Sequence, residues 1–533
     1  MDCTTSYLSY DSTHAFSKIV SDYLHQSDAL KPFYEHAPTI EGIRAAIDSR
    51  KKINTNRTLL VNTIQKQYAG LPIAEKVQAN IDLLLKENVF TVTTAHQPNI
   101  FTGPLYFIYK IMHAVKLAEE LSHTIPECQF VPVYYMGSED ADLEELGSIN
   151  IGGQSLIWNT KQTGAVGRMR VDKSFLQMMH SIEGQIGVLP FGNELIELYK
   201  SSYTEGKLIQ QATLELVNQL FAAYGVVVLI PDQAELKAAF SSVIQKELLE
   251  QFSHTIVEKT AAALSLNYKV QASGRDINLF YLVDNYRERI ELNAEGQFEI
   301  KALQKNFTKE EILKELENHP ERFSPNVILR GVFQETILPN IAFIGGGGEL
   351  AYWLELKDVF KAVNIPYPVL VLRNSFLVIE KAQKEKLANL AFSETDLFTD
   401  SLTLINRTVK ANSNHQLSLN KELTAIDLLY QELQNLAGAI DVTLVEHVIS
   451  IKNKAIKKVE QLEKKMLRAE KEKFQIAIQQ ITQLKSSLFP GNNLQERHDN
   501  FSIFFSKYGN DWLRFIHEAS QGLNQEFGII YID

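Results

Sequence analysis

The pattern of apolar runs predicts an α/β protein: a core on an open parallel sheet, interrupted by insertions and followed by a helical coiled-coil domain. Three observations carry this. Short β-branched runs alternate with stretches of helical spacing between Val89 and Leu372, the layout of strand–helix–strand units. Two glycine-rich or alternating segments break that layout. Beyond residue 376 apolar residues recur at three- and four-residue spacing.

Residues 1 to about 88 read as helices separated by polar turns, the clearest at Tyr68–Pro72. Val89–Ala95 (VFTVTTA) is the first expected strand. The loop His96-Gln97-Pro98-Asn99 and then Thr102-Gly103-Pro104 follow it. Leu105, Ile108, Met112, Val115 and Ala118 next fall on one helical face, with Pro104 at a first helical position. Phe130–Met136 is a second strand, and Val226–Ile230, Asn340–Ile344 and Pro368–Leu372 are further ones. Ile151–Arg170 reads as hairpin material, and Asp276–Ile300 alternates like antiparallel strands around Asn293–Gly296. Both are expected as insertions into the core, covering about 151–215 and 265–320.

From about Asn374 strands are expected to stop, and residues 376–490 read as a helical arm. Val445, Val448, Ala455, Val459, Leu462, Met466 and Ala469 form a heptad stripe interrupted by Lys452. Phe474, Ile478, Ile481, Leu484 and Leu488 resume it after a phase shift, and Pro490-Gly491 ends it. Its register suits a hairpin within the chain or a dimer arm. Residues 491–533 form a last segment whose strand-like Gly528–Ile532 is expected to rejoin the core sheet. The organisation is thus core 1–375, arm 376–490 and C-terminal segment 491–533.

Among 533 residues, 53 are Lys or Arg and 64 Asp or Glu, for a net charge of −11. That balance argues against nucleic acid or an anionic membrane as partner, since both demand basic surface. Two separated cysteines, Cys3 and Cys128, make neither a disulfide framework nor a thiolate zinc site. No tightly bound metal is expected. The opening MDCTTSYLSY lacks the layout of a signal peptide, and the longest apolar stretch, Gly225–Pro231, is far too short to span a bilayer. The expectation is a cytoplasmic protein.

Three constellations could carry chemistry. His96-Gln97-Pro98 with Thr102 and Gly103 sits where a strand's carboxyl end meets a helix N-terminus, a position suited to phosphate or carboxylate. His96 could donate to a phosphate or act in acid–base catalysis, and Lys110 could reach the same space from the helix. A loop histidine satisfying a carbonyl is the plainer alternative. Glu139, Asp140 and Asp142 follow the second strand, where carboxylates can position a cation, bind an amine or serve as a base; Glu144 and Glu145 read as helix capping. The third runs from Asn326 and Arg330 through Gln334 and Glu335 to Gly345-Gly346-Gly347-Gly348, a turn that lets backbone approach a ligand. Arg330 and Arg373 could clamp an anion. Gly346, Gly348 and Ala351 fit a dinucleotide fingerprint, yet no acid follows where a ribose partner belongs, which disfavours a nicotinamide enzyme.

These segments together resemble the cysteine ligases of bacillithiol biosynthesis, the BshC family. The resemblance rests on HQPNIFTGPLYFIYKI (His96–Ile111), VPVYYMGSEDADLEE (Val131–Glu145), FSPNVILRGVFQETILPNIAFIGGGGELAYWLELK (Phe323–Lys357), the strand ending at Arg373 and LFPGNNLQER (Leu488–Arg497). They lie in the family's order over about 400 residues. The resemblance implies a Rossmann-like core akin to nucleotidyltransferases and class I aminoacyl-tRNA synthetases, with connecting-peptide insertions and a coiled coil supporting a homodimer. It implies joining of L-cysteine to glucosaminyl malate, with ATP, accompanied by Mg, activating the carboxyl as an acyl-adenylate or acyl-phosphate.

Carried over by resemblance, His96 takes the place of the first histidine of the synthetases' phosphate motif, whose second histidine is missing here. Thr102, Gly103, Lys110 and Gly345–Gly348 would line the phosphate site. His96, Glu139, Asp140 and Asp142 would act in catalysis, the carboxylates facing a substrate amine. Asn326, Arg330, Gln334, Glu335 and Arg373 would recognise carboxylate or sugar groups. Two departures stand out: Ala141 occupies a position where relatives carry histidine, and Gly347 replaces a common proline. A nucleotide-binding coiled-coil adaptor serving another enzyme is the alternative function.

Overall fold

A computed structural model describes residues 3–271 and 274–533. The chain divides into two compact units: one runs up to Val378 and resumes over Asn493–Ile530, the other comprises Ile379–Asn492 and Tyr531–Asp533.

The first unit opens on strand β1 (Cys3–Leu8). Its centre is a five-stranded parallel sheet of β2 (Val89–His96), β3 (Gln129–Met136), β4 (Val227–Leu229), β5 (Asn340–Gly345) and β6 (Val369–Leu372). The spatial order is β6-β5-β2-β3-β4. These strands read as continuous apolar runs because a parallel sheet is covered on both faces. One cover is helix α1 (Tyr106–Thr124), whose Ala114, Leu117 and Leu121 pack with Phe90, Val92, Ile344 and Val371. Full burial of each large apolar side chain contributes about 1.5–3 kcal/mol.

Register decides what meets at the carboxyl end of the sheet. His96 lies opposite Met136, Thr94 opposite Ile344, and Gly345 opposite Leu372. The residues just beyond these positions therefore converge on one rim, where open α/β sheets bind ligands.

The insertions are antiparallel as expected. Ser148–Ile151 pairs with Gln154–Ile157. In the second, Leu279–Val283 lies between Tyr286–Arg289 and Phe323–Pro325. Helix α2 (Val327–Ile337) then leads to β5, and α3 (Gly347–Trp353) follows it.

Three expectations fail. β1 forms where helices were expected. Strand β7 (Ser375–Glu380) starts two residues after β6, where the helical arm was expected to begin. The C-terminal strand β8 (Phe527–Ile532) does not rejoin the parallel sheet; it lies between β1 and β7 in a separate three-stranded sheet. The reason is local: CTTSYL and SFLVIE are short mixed runs whose strand character comes from pairing with β8, not from their own periodicity.

In the second unit, α4 (Asn420–Ile440) and α5 (Leu444–Lys471) pack together as a hairpin. Lys452 pairs with Asp427, and Glu463 accepts from the Leu419 amide at 3.1 Å. Partners advance along one helix as they recede along the other, which makes the pair antiparallel. The lysine that breaks the heptad stripe is thus a cross-helix ion-pair partner. Leu429, Leu433, Leu436 and Ile440 remain exposed on α4.

Candidate functional site

A cavity of about 360 Å³ opens at the carboxyl rim of the sheet. His96 and Gln97 from the end of β2, Gly137 and Asp140 beyond β3, and Gly346–Gly348 beyond β5 line it. Tyr106 and Lys110 of α1, Arg330 of α2 and Arg373 beyond β6 complete it, with Arg497 arriving from the C-terminal segment.

His96 is held by a relay. Gln97 Nε2 donates to Asp140 Oδ2 at 3.2 Å, so Gln97 Oε1 must face the other way, 2.7 Å from His96 Nδ1. An oxygen there requires Nδ1 to carry the proton. His96 Nε2 is then a lone pair, buried and without a partner among the described residues. Burial above all, then the charge of Lys110, holds the imidazole well below its ordinary pKa of 6.5, against the pull of Gln97. Asp140 stays ionised: burial opposes its charge, but Arg330, then Arg287 and Gln97, hold it below the ordinary carboxylate range.

The cationic wall is partly neutralised. Lys110 Nζ bonds Glu349 Oε2 at 2.6 Å and the Ala95 carbonyl at 2.6 Å. The same Glu349 oxygen accepts from the Gly346 amide at 2.8 Å, so one carboxylate ties the lysine to the glycine turn. Burial lowers the pKa of Lys110, with Glu349 opposing. Arg373 forms a two-bond fork with Glu496, at 2.6 and 3.0 Å, with both groups buried. Arg330 reaches Asp140 only at 3.4 and 3.5 Å. Tyr106 is pushed up to about 12 by burial, and burial with Asp142 and Asp140 nearby raises Glu145.

His96, Asp140, Lys110, Gly346, Gly347, Gly348, Arg330 and Arg373 therefore come together as expected positions on one cavity. Other candidates do not. Thr102 is fully buried and lies outside the lining, in a turn where Phe101, Thr102 and Gly103 all have positive φ. Asn500 pins that turn by donating to the carbonyls of Phe101 and Gly103. Gly345 ends β5 beneath the turn rather than on the cavity. Glu139 points away into a buried network, paired with Lys237, which also bonds Asp232 at 3.0 Å. Asp142 is exposed and caps the short helix Leu143–Leu146 by accepting from the Glu145 amide at 3.1 Å.

Asn326 caps α2 through Ile328 and donates to Asn278. Gln334 and Glu335 are buried: Glu335 pairs with Arg50 at 2.6 Å, and Gln334 donates to Glu335. Their polarity had suggested substrate recognition; it serves a buried ion pair instead.

Sequence reasoning missed Gln97 as the tautomer-setting partner, Glu349 as the counter-ion of Lys110, and Arg497 and Tyr352 as lining residues. Glu145 was assigned to capping but lines the cavity. Gln97 and Glu349 were within quoted motifs; only the register of β2, β3 and β5 gives them partners.

Comparison with known proteins agrees with this layout. The description "Bacillithiol biosynthesis BshC, N-terminal Rossmann-like domain" matches residues 1–374, and "Bacillithiol biosynthesis BshC, C-terminal coiled-coil domain" matches 376–532. A protein of Flavobacterium johnsoniae named "Putative cysteine ligase BshC" is 41% identical over 99% of this chain and 100% of its own. The protein of the same name from Christiangramia forsetii is 38% identical over 99% of each chain. That of Prosthecochloris aestuarii is 28% identical over 93% of each. With both domain descriptions covering nearly the whole length and full-length relatives at such identity, the chain belongs to the BshC family of bacillithiol biosynthesis.

Proposed function

We propose that this protein is an ATP-dependent ligase that joins the carboxyl group of L-cysteine to the amine of glucosaminyl malate, forming the amide of bacillithiol. The names of its relatives support a cysteine ligase. The observation that carries the chemistry is the neutral His96, whose protonated Nδ1 leaves Nε2 as an unpartnered base beside the cavity.

Amide formation from a free carboxylate is uphill in water, and ATP would supply the leaving group that activates it. The residues present fit a nucleotide's phosphates: Lys110, Arg330, Arg373 and Arg497 outnumber Asp140, Glu145 and Glu349 around the cavity, beside the amides of Gly346–Gly348. Magnesium would enter with those phosphates. As the acceptor amine attacks the activated carboxyl carbon, its nitrogen must lose a proton, and His96 Nε2 can take it. Asp140, acting through Gln97, stabilises the imidazolium that results. The enzyme would work in the cytoplasm; among the described residues no helix is long and apolar enough to cross a membrane. The exposed leucines of α4 support assembly as a homodimer through the arm.

The test is mass spectrometry of purified protein with cysteine, glucosaminyl malate and Mg-ATP, each omitted in turn. Thiol product dependent on all three is expected, with AMP marking adenylation and ADP an acyl-phosphate. Absence of product in the complete mixture refutes the proposal and favours a component that serves another enzyme.

A further inference from the structure

The second insertion carries an arginine that the chemistry above leaves unused. Arg287 stands opposite Leu282, and Ser324 stands opposite Phe280, so positions 280, 282, 287 and 324 share one face of that sheet. The Arg287 guanidinium lies over the Phe280 ring, 3.8 Å from its centroid, and Nε donates to Ser324 Oγ at 3.3 Å. Stacking and this bond fix the plane of the group. Among the described residues no carboxylate lies within ion-pair distance of it.

The chain then connects this face to the cavity within a few residues. Ser324 leads through Asn326 into α2, whose Val327 and Arg330 line the cavity. Arg330 and Asp140 lie close enough for their charges to act on Arg287. Burial lowers Arg287 to a pKa of about 10, which leaves it charged at neutral pH. Two guanidinium groups therefore share the single charge of Asp140, which Arg330 engages only at 3.4 Å. Arg373, the other arginine suited to a dicarboxylate clamp, is saturated by Glu496 and lies beside Gly346, whereas Arg330 lies beside Gly137.

We propose that Arg287 and Arg330 form a carboxylate-binding subsite at the mouth of the cavity, which takes the malyl dicarboxylate of the acceptor. This assignment rests on the ligase reading above. A planar guanidinium stacked on an aromatic ring suits two-pronged recognition of a carboxylate. The same cations could hold a nucleotide phosphate, and the experiment separates the two.

In Arg287→Gln the KM for glucosaminyl malate is expected to rise about tenfold or more, the loss of one charge-assisted hydrogen bond. The KM values for ATP and cysteine should move less than about twofold. The preference for glucosaminyl malate over methyl glucosaminide, which lacks carboxylates, should collapse, and Arg287→Lys should restore part of it. A rise in the KM for ATP instead, or an equal fall with both acceptors, overturns the subsite. Calorimetry with L-malate gives a readout independent of turnover: the wild-type protein should bind it more tightly than Arg287→Gln even if no ligation occurs. Equal binding overturns the subsite while leaving the ligase reading untouched.

Discussion

Arg50→Met should destabilise the protein severely while leaving substrate recognition intact. Arg50 is 3% exposed and Glu335 is fully buried. Arg50 Nη2 meets Glu335 Oε2 at 2.6 Å, Nη1 donates to the Glu335 carbonyl at 2.8 Å, and Nε donates to the Asn340 carbonyl at 3.0 Å. Gln334 and Asn340 both donate to the other carboxylate oxygen, at 2.9 and 2.7 Å. Removing the arginine strands a buried carboxylate, which costs about 3–5 kcal/mol. A second estimate agrees. The lone Glu335 can escape by taking a proton, and protonation at pH 7 of a carboxyl whose ordinary value is 4.5 costs about 3.5 kcal/mol, at about 1.4 kcal/mol per pH unit.

That escape has a sign. In the variant the folded state holds a proton on Glu335 that the unfolded state lacks above pH 4.5. Stability then falls as pH rises, so the deficit relative to wild type should shrink by about 1.4 kcal/mol for each unit from pH 7 towards 5. Urea unfolding at pH 5, 6 and 7 reads the effect, with KM values measured on folded protein. A variant of wild-type stability whose KM for the acceptor has risen would refute this reasoning and restore Glu335 as a substrate-binding group.

Three further outcomes are expected. His96 should show no titration near pH 6.5 by nitrogen NMR, because burial and Lys110 oppose its protonation, and Gln97→Glu should bring one into that range; a normal transition in the wild type contradicts the relay. His113 accepts from the Asn374 amide at 3.0 Å and bonds the Gly522 carbonyl at 2.7 Å, and burial holds it at about 4. The unfolded chain thus binds the extra proton between 6.5 and 4, so up to about 3 kcal/mol of stability is lost as pH falls through that window, and His113→Gln should flatten the dependence in denaturant titrations. Gly103→Ala should cost about 1–3 kcal/mol in thermal or urea unfolding, since Gly103 has φ +64° and a Cβ there would meet Asn99 at 2.8 Å.

The core strands were legible because continuous apolar runs between turn residues leave little else for the chain to do. The cavity's main residues were legible because strand–loop–helix junctions put them at a sheet's carboxyl rim. The rest depended on partners remote in sequence. Nothing local to Glu335 announces Arg50, 285 positions away, and nothing near Arg373 announces Glu496. Glu139 and Asp140 are neighbours of the same charge, yet one faces Lys237 and the other the cavity. Short strands such as β1 and β7 carry no periodicity of their own; β8 makes them strands.

The return of the chain after the arm sets an order of assembly during synthesis. Arg373 waits 123 residues for Glu496, and the carbonyls of Phe101 and Gly103 wait about 400 for Asn500. At a translation rate of about 5–20 residues per second, the arm alone delays Glu496 by roughly 6–25 s. Throughout that interval all five strands of the parallel sheet have been made, yet the arginine at its rim lacks the carboxylate that neutralises it. A ribosome-bound chain halted anywhere within the arm would therefore carry the sheet's residues without a finished rim, which ties competence for chemistry to the last stretch translated.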